Sequence, residues 1–197
     1  MADKTKTELL REIRDEIARS RTLPLAAYRR KYKYYPVIGE GSHGAKIMFV
    51  GEAPGVQEAK TGRPFCGAAG RVLDELLAGV KIARHDIYIT NIVKDRPPGN
   101  RDPEPKEIAA YAPYLLRQIE IIKPQIIVTL GRFSTAFIMR EFGLSDKLAP
   151  IGKIHGNVYN AKTSCGRIMI MPMYHPAAAL YAATTKKLME EDFKKIK

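Results

Sequence analysis

Residues 49–70 read FVGEAPGVQEAKTGRPFCGAAG and join an apolar strand-like run to an apolar helical run. The stretch holds five glycines and two prolines, residues that permit tight turns and close approach of the backbone to a ligand. A loop of this composition after a strand is typical of a binding site. Its ligand could be a phosphate, a metal ion or a planar base.

The loop does not match the common phosphate-binding patterns. It lacks the Gly-Lys-Ser/Thr ending of the Walker motif and the G-x-G-x-x-G spacing of the dinucleotide fingerprint. It carries two acids, Glu52 and Glu58, and one aromatic residue, Phe65. A flat apolar ring beside a glycine-rich backbone favours a planar ligand.

Four short apolar runs alternate with helical patterns along the chain. This alternation predicts an α/β fold, with a mostly parallel sheet covered by helices on both faces and right-handed crossovers. We therefore predict a three-layer α/β/α sandwich with a central, mostly parallel four-stranded sheet. The predicted strands are residues 46–51, 86–93, 125–131 and 167–174.

The chain begins with a predicted amphipathic helix at about residues 6–19. Thr5 and Glu8 have the spacing of a capping box, and apolar residues follow at helical intervals. With 197 residues and no internal repeat, the chain is predicted to form a single domain over residues 1–197. We expect the core of that domain at about residues 45–197.

Residues 28–44, YRRKYKYYPVIGEGSHG, interleave four tyrosines with basic residues. Aromatic and basic side chains in alternation can clasp nucleic acid. A solvated connector has the same composition, so the sequence leaves both interpretations open.

Ligands of an open parallel sheet bind beyond the carboxyl ends of its strands. The predicted strands end in the loops GEAPG, TNIVK, LGRF and YHP, and we expect the functional residues there. These loops are residues 51–55, 90–94, 130–133 and 174–176.

The composition favours a polyanionic partner. Thirty-three Lys and Arg against 21 Asp and Glu give a formal net charge of +12, which favours nucleic acid through counterion release. No apolar run reaches the roughly 20 residues of a membrane span, and the first residues do not resemble a secretory signal. We predict a cytoplasmic, nucleoid-associated monomer that binds DNA and no membrane.

The cysteines and histidines predict no metal site. The two cysteines, Cys66 and Cys165, cannot supply a site of four thiolates. The four histidines show no ligand spacing. We therefore expect the chemistry to be carried by acids, amides and histidine.

Five motifs together resemble one known family. They are VGEAPG with Glu58 following, GRPFCGAAGRVLDELL, YITNIVKDRPPGNRDPEPKEI, PQIIVTLGR and YHPAAAL. In order and spacing they resemble the thermostable, iron-sulfur type (family 4) of the uracil-DNA glycosylases, over roughly residues 20–181. The resemblance implies a monofunctional enzyme of base-excision repair that flips uracil out of DNA and hydrolyses its glycosidic bond, leaving an abasic site.

The resemblance also implies a uracil pocket made of Gly51, Ala53, Glu58, Phe65 and Asn91. Phe65 would stack on the base, and Glu58 would exclude the methyl group of thymine. The Asn91 amide would pair with uracil O4 and N3–H. Cytosine presents the reverse donor and acceptor pattern, so this amide would give selectivity.

Glu52 and His175 are the expected catalytic residues. Cleavage places negative charge on the departing base, and His175 would donate a hydrogen bond to uracil O2. Glu52 would orient the attacking water or stabilise the sugar cation. Alternatively, backbone groups of residues 51–53 would hold the water, because some uracil glycosylases have their carboxylate at the position of Ala53.

Basic, turn and exposed apolar residues around the pocket are expected to contact DNA. Leu180 or Tyr181 would fill the gap that the flipped base leaves. The expected contacts are Lys94, Arg96, Pro97, Asn100, Arg101, Leu180, Tyr181, Lys186 and Lys187.

The sequence departs from the family at the iron-sulfur cluster. Family members carry four cysteines for a [4Fe-4S] cluster, whereas the matching positions here hold Ser20, Leu23, Asp95 and Tyr111. None of these is a thiolate, so we expect no cluster and no other cofactor.

Two alternative functions remain open from the sequence. Small changes in the pocket would shift the substrate to another deaminated base, hypoxanthine or xanthine. The other alternative is a non-catalytic DNA-binding or damage-sensing module of the same fold. Retention of Glu52, Asn91 and His175 argues against that module.

Overall fold

The computed structural model describes residues 4–163 and 166–196, which form a six-stranded sheet with helices around it. The strands are β1 Glu40–Gly41, β2 Ile47–Gly51, β3 Tyr88–Asn91, β4 Ile126–Leu130, β5 Tyr159–Thr163 and β6 Gly166–Met173. The helices are α1 Lys6–Arg19, α2 Ala26–Lys31, α3 Val56–Thr61, α4 Ala68–Gly79, α5 Pro105–Ile122, α6 Arg132–Glu141, α7 Ile151–Ile154 and α8 Ala183–Phe193. Short 3-10 turns are Pro98–Asn100, Ser145–Lys147 and Pro176–Leu180.

The four predicted strands form the centre of the sheet, whose order is β1-β3-β2-β4-β6-β5. The pairs β3–β2, β2–β4 and β4–β6 are all parallel, as predicted. The predicted number of strands is wrong, because β1 and β5 add antiparallel edges. β1 has two residues and β5 reads YNAKT, so neither has the apolar run that marks a buried strand.

Helices cover both faces of the sheet. Successive side chains of a strand point to opposite faces, so Met48 and Val50 belong to one core cluster and Phe49 belongs to the other. Residues of α1, α5 and α6 pack in the first cluster, and residues of α4 and α8 pack in the second. The predicted three-layer sandwich is therefore confirmed. No helix within residues 4–163 and 166–196 is long and apolar enough to span a membrane.

Helix α1 has the predicted boundaries and the predicted cap. The Glu8 carboxylate accepts a hydrogen bond from the Thr5 N–H at 2.8 Å, and the Thr5 hydroxyl accepts one from the Glu8 N–H at 3.3 Å. The helix buries Leu10, Ile13 and Ile17 in the first core cluster. Packing on this cluster therefore attaches α1 to the rest of the protein.

The strand order reverses at β2, which places a crevice at the carboxyl edge of the sheet. The chain passes from β2 to β3 on one side and then returns to β4 on the other side. Ligands of open α/β sheets bind at such a switch point. Gly51 and Asn91, the last residues of β2 and β3, pair with each other at this edge.

We expect Ile13→Ala to lower the free energy of unfolding by about 2 to 5 kcal/mol, because truncation of a fully buried side chain leaves a cavity. Leu9→Ala, a half-buried position on the same helix, should cost less. Urea unfolding followed by circular dichroism measures both values. Equal losses would contradict the packing described for α1.

Candidate active site

A cavity of about 530 Å³ opens at the carboxyl ends of the central strands. Its walls come from the loop after β2, from α3, from the start of α4, from the end of β3 and from the segment after β6. The structure thus brings together residues from three of the four loops in which we expected the site. The predicted site residues that line the cavity are Ala53, Glu58, Phe65, Asn91, Asn100, His175 and Tyr181.

Phe65 and His175 form neighbouring walls of the cavity. Their ring centroids are 5.7 Å apart, and the ring planes are tilted by 33°. Phe65 lies in the turn between α3 and α4 with φ of +47°, a left-handed conformation that is uncommon for a bulky residue. Gly70 permits this turn, because a Cβ there would lie 1.8 Å from the Phe65 carbonyl oxygen. Close packing therefore fixes the aromatic wall.

Asn91 carries an unsatisfied polar atom toward the cavity. Its side chain is buried, and Oδ1 is the one buried side-chain N or O atom without a hydrogen-bond partner in the described part of the chain. A Cβ on Gly51 would lie 2.3 Å from this Oδ1 and 2.6 Å from Phe65 Cζ. Only a residue without a side chain lets the amide and the ring approach in this way. A buried acceptor of this kind suits a ligand N–H group.

Glu58 is held firmly at the cavity wall. Its Oε1 accepts hydrogen bonds from the backbone N–H groups of Cys66 and Gly67, both at 2.9 Å. A Cβ on Gly55 would lie 2.7 Å from its Oε2, so the carboxylate is also packed closely on its other side. The carboxylate therefore ties α3 to the turn that carries Phe65.

His175 presents a hydrogen-bond donor. Its Nδ1 accepts a hydrogen bond from the Ala177 N–H at 3.2 Å, and a neutral ring with Nδ1 as acceptor carries its proton on Nε2. Burial lowers the pKa of His175 to about 4, against a weaker opposing effect of Glu58. At neutral pH the ring is therefore uncharged, with Nε2–H available.

Glu52 is half-buried and is not among the residues that line the cavity. Burial and, to a smaller extent, the negative charge of Asp102 raise its pKa to about 7, against the opposing positive charge of Arg132. Arg132 and Asp102 form an ion pair. The Glu52 carboxyl group thus changes its charge close to neutral pH.

The backbone of residues 51–53 is partly engaged in hydrogen bonds to the chain after β3. The carbonyl groups of Gly51 and Glu52 accept hydrogen bonds from the N–H groups of Ile92 and Val93, both at 3.0 Å. These bonds continue the pairing of β2 with β3 beyond the strands. Ala53 follows them and lines the cavity.

Two residues predicted to contact DNA are buried. The Lys94 side chain has no exposed surface, and its Nζ donates to Thr90 Oγ1, to the Asn91 carbonyl oxygen and to Gln118 Oε1 at 2.8, 2.6 and 2.5 Å. Burial lowers the pKa of Lys94 well below its ordinary value. Pro97 is buried as well. The predicted DNA contacts of Lys94 and Pro97 are therefore wrong, because the chain after β3 stays inside the protein.

Arg96, Asn100 and Arg101 lie at the rim of the cavity or near it. Arg96 Nε donates to Asn100 Oδ1 at 2.6 Å, and Asn100 lines the cavity. Arg101 is partly exposed and pairs with Glu107 at 2.7 Å. The loop before α5 is thus held by its own charges.

The segment after His175 becomes exposed at Leu180 and Tyr181. Leu180 and Tyr181 are 46% and 89% exposed, and only Tyr181 lines the cavity. Lys187 is exposed, whereas Lys186 pairs with Glu75 at 2.7 Å in a separate groove between α4 and α8. Of these residues, Tyr181 is the one that the structure places at the cavity.

Several residues of this region were not predicted from the sequence. Val56 and Gln57 line the cavity, but α3 has only six residues and is too short to show a helical period. Asp102 and Arg132, whose charges act on Glu52, fall in motifs that we had recognised without assigning them roles. Arg132 belongs to the LGRF loop, one of the four loops in which we expected functional residues.

The positions of the family's cluster ligands are not arranged for a cluster. Asp95 accepts hydrogen bonds from Arg29 Nη1 at 2.9 and 2.8 Å and from the Tyr111 hydroxyl at 2.5 Å. Ser20 Oγ accepts one from the Leu23 N–H at 3.2 Å, and the Leu23 side chain has no donor atom. These four residues do not fit a group that requires thiolates.

No other metal site is evident in residues 4–163 and 166–196, where no group of three His, Cys, Asp or Glu side chains could hold a metal ion. Cys66 is a free thiol, 3.3 Å from the Thr61 hydroxyl. Cys165 lies outside the described residues.

We expect the His175 ring to remain neutral until the pH falls to about 4, with its proton on Nε2. Nitrogen and proton NMR of the labelled imidazole measures both properties, and His175→Ala assigns the signal. Titration near the ordinary pKa of 6.5, or a proton on Nδ1, would contradict this geometry.

Comparison with known proteins identifies the family of this chain. Residues 38–197 match the family model described as the Uracil DNA glycosylase superfamily. The chain is 46% identical over 186 residues to the type-4 uracil-DNA glycosylase of Saccharolobus solfataricus, which covers 94% of this chain and 83% of that protein. It is 48% identical over 189 residues to the type-4 enzyme of Sulfurisphaera tokodaii, with 95% and 83% coverage.

The type-4 uracil-DNA glycosylase of Archaeoglobus fulgidus is 44% identical over 189 residues, covering 96% of this chain and 92% of that protein. Similarity at this level extends over almost the whole chain and includes all five motifs. The resemblance first observed in those motifs is thereby confirmed. This chain belongs to the uracil DNA glycosylase superfamily.

Proposed function

We propose that this protein removes uracil from DNA by hydrolysing its N-glycosidic bond, which leaves an abasic site for base-excision repair. The observation that carries the proposal is Asn91 Oδ1, a buried acceptor without a partner in a cavity walled by Phe65 and His175. The type-4 uracil-DNA glycosylases to which the chain is similar support the same reaction.

Recognition of the base follows from the Asn91 amide. Its Oδ1 accepts a hydrogen bond from uracil N3–H, and its Nδ2 donates one to O4. Cytosine has an acceptor at N3 and a donor at C4, so both contacts become unfavourable. The base must leave the DNA stack to reach this depth, and the Phe65 ring replaces part of the lost stacking.

Glu58 excludes thymine. The two backbone hydrogen bonds to its Oε1 prevent the carboxylate from moving aside, and its packing against Gly55 prevents retreat on the other side. A methyl group on C5 of the base would therefore meet a rigid wall. Rigidity matters here, because a methyl group alone contributes little to discrimination in a pocket that can expand.

His175 stabilises the departing base. As the glycosidic bond breaks, negative charge develops on uracil and concentrates at O2, and the Nε2–H of a neutral imidazole donates to it. The Ala177 N–H fixes the required tautomer before substrate binds. The donor is thus oriented in advance and needs no proton from solvent.

Glu52 acts on the sugar side of the bond. As a carboxylate it stabilises positive charge on the sugar and orients the attacking water. Its pKa of about 7 means that it ionises in the range where such an enzyme works. In the alternative arrangement, the backbone at Ala53 holds the water.

DNA lies across the cavity mouth in this proposal. Arg96, Asn100 and Arg101 flank one side of the mouth, and Lys186 and Lys187 extend the basic surface beyond the other. Tyr181 fills the gap left by the flipped base, because it is 89% exposed and lines the cavity, whereas Leu180 does not.

We also propose that the protein works without an iron-sulfur cluster. Arg29 of α2 contacts Asp95 after β3, and Tyr111 of α5 donates to the same carboxylate. Arg29 Nη2 further donates to the carbonyl oxygen of Ile17 in α1 at 2.8 Å. This buried network joins the N-terminal helices to the loop beside the cavity, which supports a single domain over residues 1–197.

We expect purified protein treated with chelator to release uracil from an oligonucleotide carrying one uracil. His175→Ala and Asn91→Ala should each slow release by about 100-fold or more, because each removes a preorganised hydrogen-bond partner of the base. Alkaline cleavage of abasic sites followed by gel electrophoresis measures the rate. Elemental analysis for iron on the same preparation tests the cofactor proposal.

The matched controls are His85→Ala and Asn157→Ala, which alter the same residue types at exposed positions and should leave the rate unchanged. Iron bound in stoichiometric amount, or activity lost with chelator, would contradict the cluster-free proposal. Absence of uracil release with release of hypoxanthine or xanthine would assign another deaminated base. DNA binding without release of any base would favour the non-catalytic module.

We expect kcat/KM for uracil release to rise with pH through about 7, because the ionised fraction of Glu52 grows as the pH passes its raised pKa. His175 is already neutral throughout this range and adds no further change. Glu52→Gln should lower the rate and abolish the pH dependence. If Glu52→Gln retains the wild-type rate and its pH dependence, the water is held by the backbone at Ala53.

A further inference from the structure

A surface rich in tyrosine lies outside the active-site cavity. We define the tyrosine surface as Tyr28, Tyr32, Tyr34 and Tyr35 with the exposed basic residues Arg30, Lys31 and Lys33. Tyr32 and Tyr35 are 47% and 61% exposed, so much of both rings faces solvent. Neither the fold nor the proposed excision of uracil explains these exposed aromatic side chains.

The rings of this surface are ordered by contacts with one another. Tyr32 lies 4.6 Å from Tyr28 and 5.7 Å from Tyr34, centroid to centroid. The Arg96 guanidinium lies 5.6 Å from the centre of the Tyr34 ring and donates to the hydroxyls of Tyr28 and Tyr34 at 3.2 and 3.4 Å. Tyr28, Tyr32 and Tyr34 are therefore preorganised and lose little conformational freedom on binding.

Two connections place the tyrosine surface at the rim of the cavity. Arg96, which holds Tyr28 and Tyr34, also donates to Asn100, and Asn100 lines the cavity. The Tyr35 N–H donates to the Ala59 carbonyl at 2.8 Å, and Ala59 belongs to α3, the helix that supplies Glu58 to the cavity wall. A nucleic acid strand that leaves the cavity on this side would therefore contact the tyrosine surface.

The positive charge of residues 20–39 favours an anionic ligand, and the exposed tyrosine rings favour one with accessible planar groups. Residues 20–39 contain five arginines and lysines and neither Asp nor Glu. Four of the five are exposed, whereas Arg29 is buried and paired with Asp95. Single-stranded DNA offers both phosphates and unstacked bases, and aromatic side chains bind such bases without regard to sequence. A duplex hides its base faces in the stack and would meet only the charges.

We propose that the tyrosine surface binds the single-stranded DNA that flanks the flipped nucleotide, with bases stacked on Tyr32 and Tyr35 and phosphates near Lys31 and Lys33. The position of the strand rests on the proposed function, because the cavity must hold the uracil. The surface makes single-stranded DNA the preferred substrate.

Binding is tested with uracil-free DNA, so that it does not depend on catalysis. Fluorescence anisotropy compares a labelled oligothymidine with a duplex of equal length. Tyr32→Ala/Tyr35→Ala should weaken binding to the single strand by about tenfold or more, because each lost ring removes a stacking partner. Duplex binding should change by less than about twofold, because its phosphate contacts remain.

Tyr32→Phe/Tyr35→Phe keeps both rings and should bind the single strand like wild type. Leu188→Ala, which truncates a 45% exposed side chain on α8, is the matched surface control. Unchanged binding of the single strand by the alanine variant would overturn the proposal. Equal weakening for single strand and duplex would also overturn it, because stacking would then not be the cause.

Uracil release measured on the same proteins separates this inference from the proposed function. If the alanine variant loses single-strand binding and wild type releases no uracil, the result would support the proposed role of the tyrosine surface and overturn the proposed function. If wild type releases uracil and the alanine variant binds the single strand as before, only the proposed role of the tyrosine surface would be overturned. With both proposals correct, the alanine variant should show a raised KM on single-stranded substrate and an unchanged kcat.

Discussion

Gly51 and Asn91 end adjacent parallel strands and pair with each other at the carboxyl edge of the sheet. A Cβ on Gly51 would lie 2.3 Å from Asn91 Oδ1 and 2.6 Å from Phe65 Cζ, so the empty space at this glycine is what allows an amide and an aromatic ring to converge. The cavity exists because of that convergence. The start of α4 follows Phe65 closely in the chain, and α4 covers one face of the sheet.

Buried polar groups fix the same edge from behind. Lys94 donates to the Asn91 carbonyl oxygen and to two side-chain acceptors, so Asn91 is held through its backbone. Asp95, the next residue, receives hydrogen bonds from Arg29 and Tyr111. Burying such charges is costly, and the cost is offset only where several hydrogen bonds satisfy each group. Both groups meet that condition, which makes this segment of the chain rigid.

One physical effect, burial, shifts the pKa of both residues proposed to be catalytic. Burial disfavours a charge, so it lowers the pKa of His175 to about 4 and raises the pKa of Glu52 to about 7. The imidazole is consequently a neutral donor at the pH where the carboxyl group begins to ionise. In the proposed mechanism, the neutral imidazole donates a hydrogen bond to the departing anion, and the carboxylate stabilises the developing cation.

The sequence by itself determined the α/β class, the four central strands, α1 with its cap, and seven of the fourteen residues that line the cavity. Apolar runs, the Thr5–Glu8 spacing and contiguous motifs are local patterns, so they can be recognised without knowing which segments meet. The tertiary structure alone decided that Lys94 is buried, that β1 and β5 complete the sheet, and that His175 carries its proton on Nε2. The burial of Lys94 depends on contacts between distant segments, such as its hydrogen bond with Gln118, 24 residues away. The His175 tautomer depends on the folded geometry of its own segment, where the Ala177 N–H donates to Nδ1. A lysine that follows a strand gives the same sequence pattern whether its side-chain nitrogen contacts solvent or three buried oxygens. Burial results from tertiary packing, which a local sequence pattern does not show.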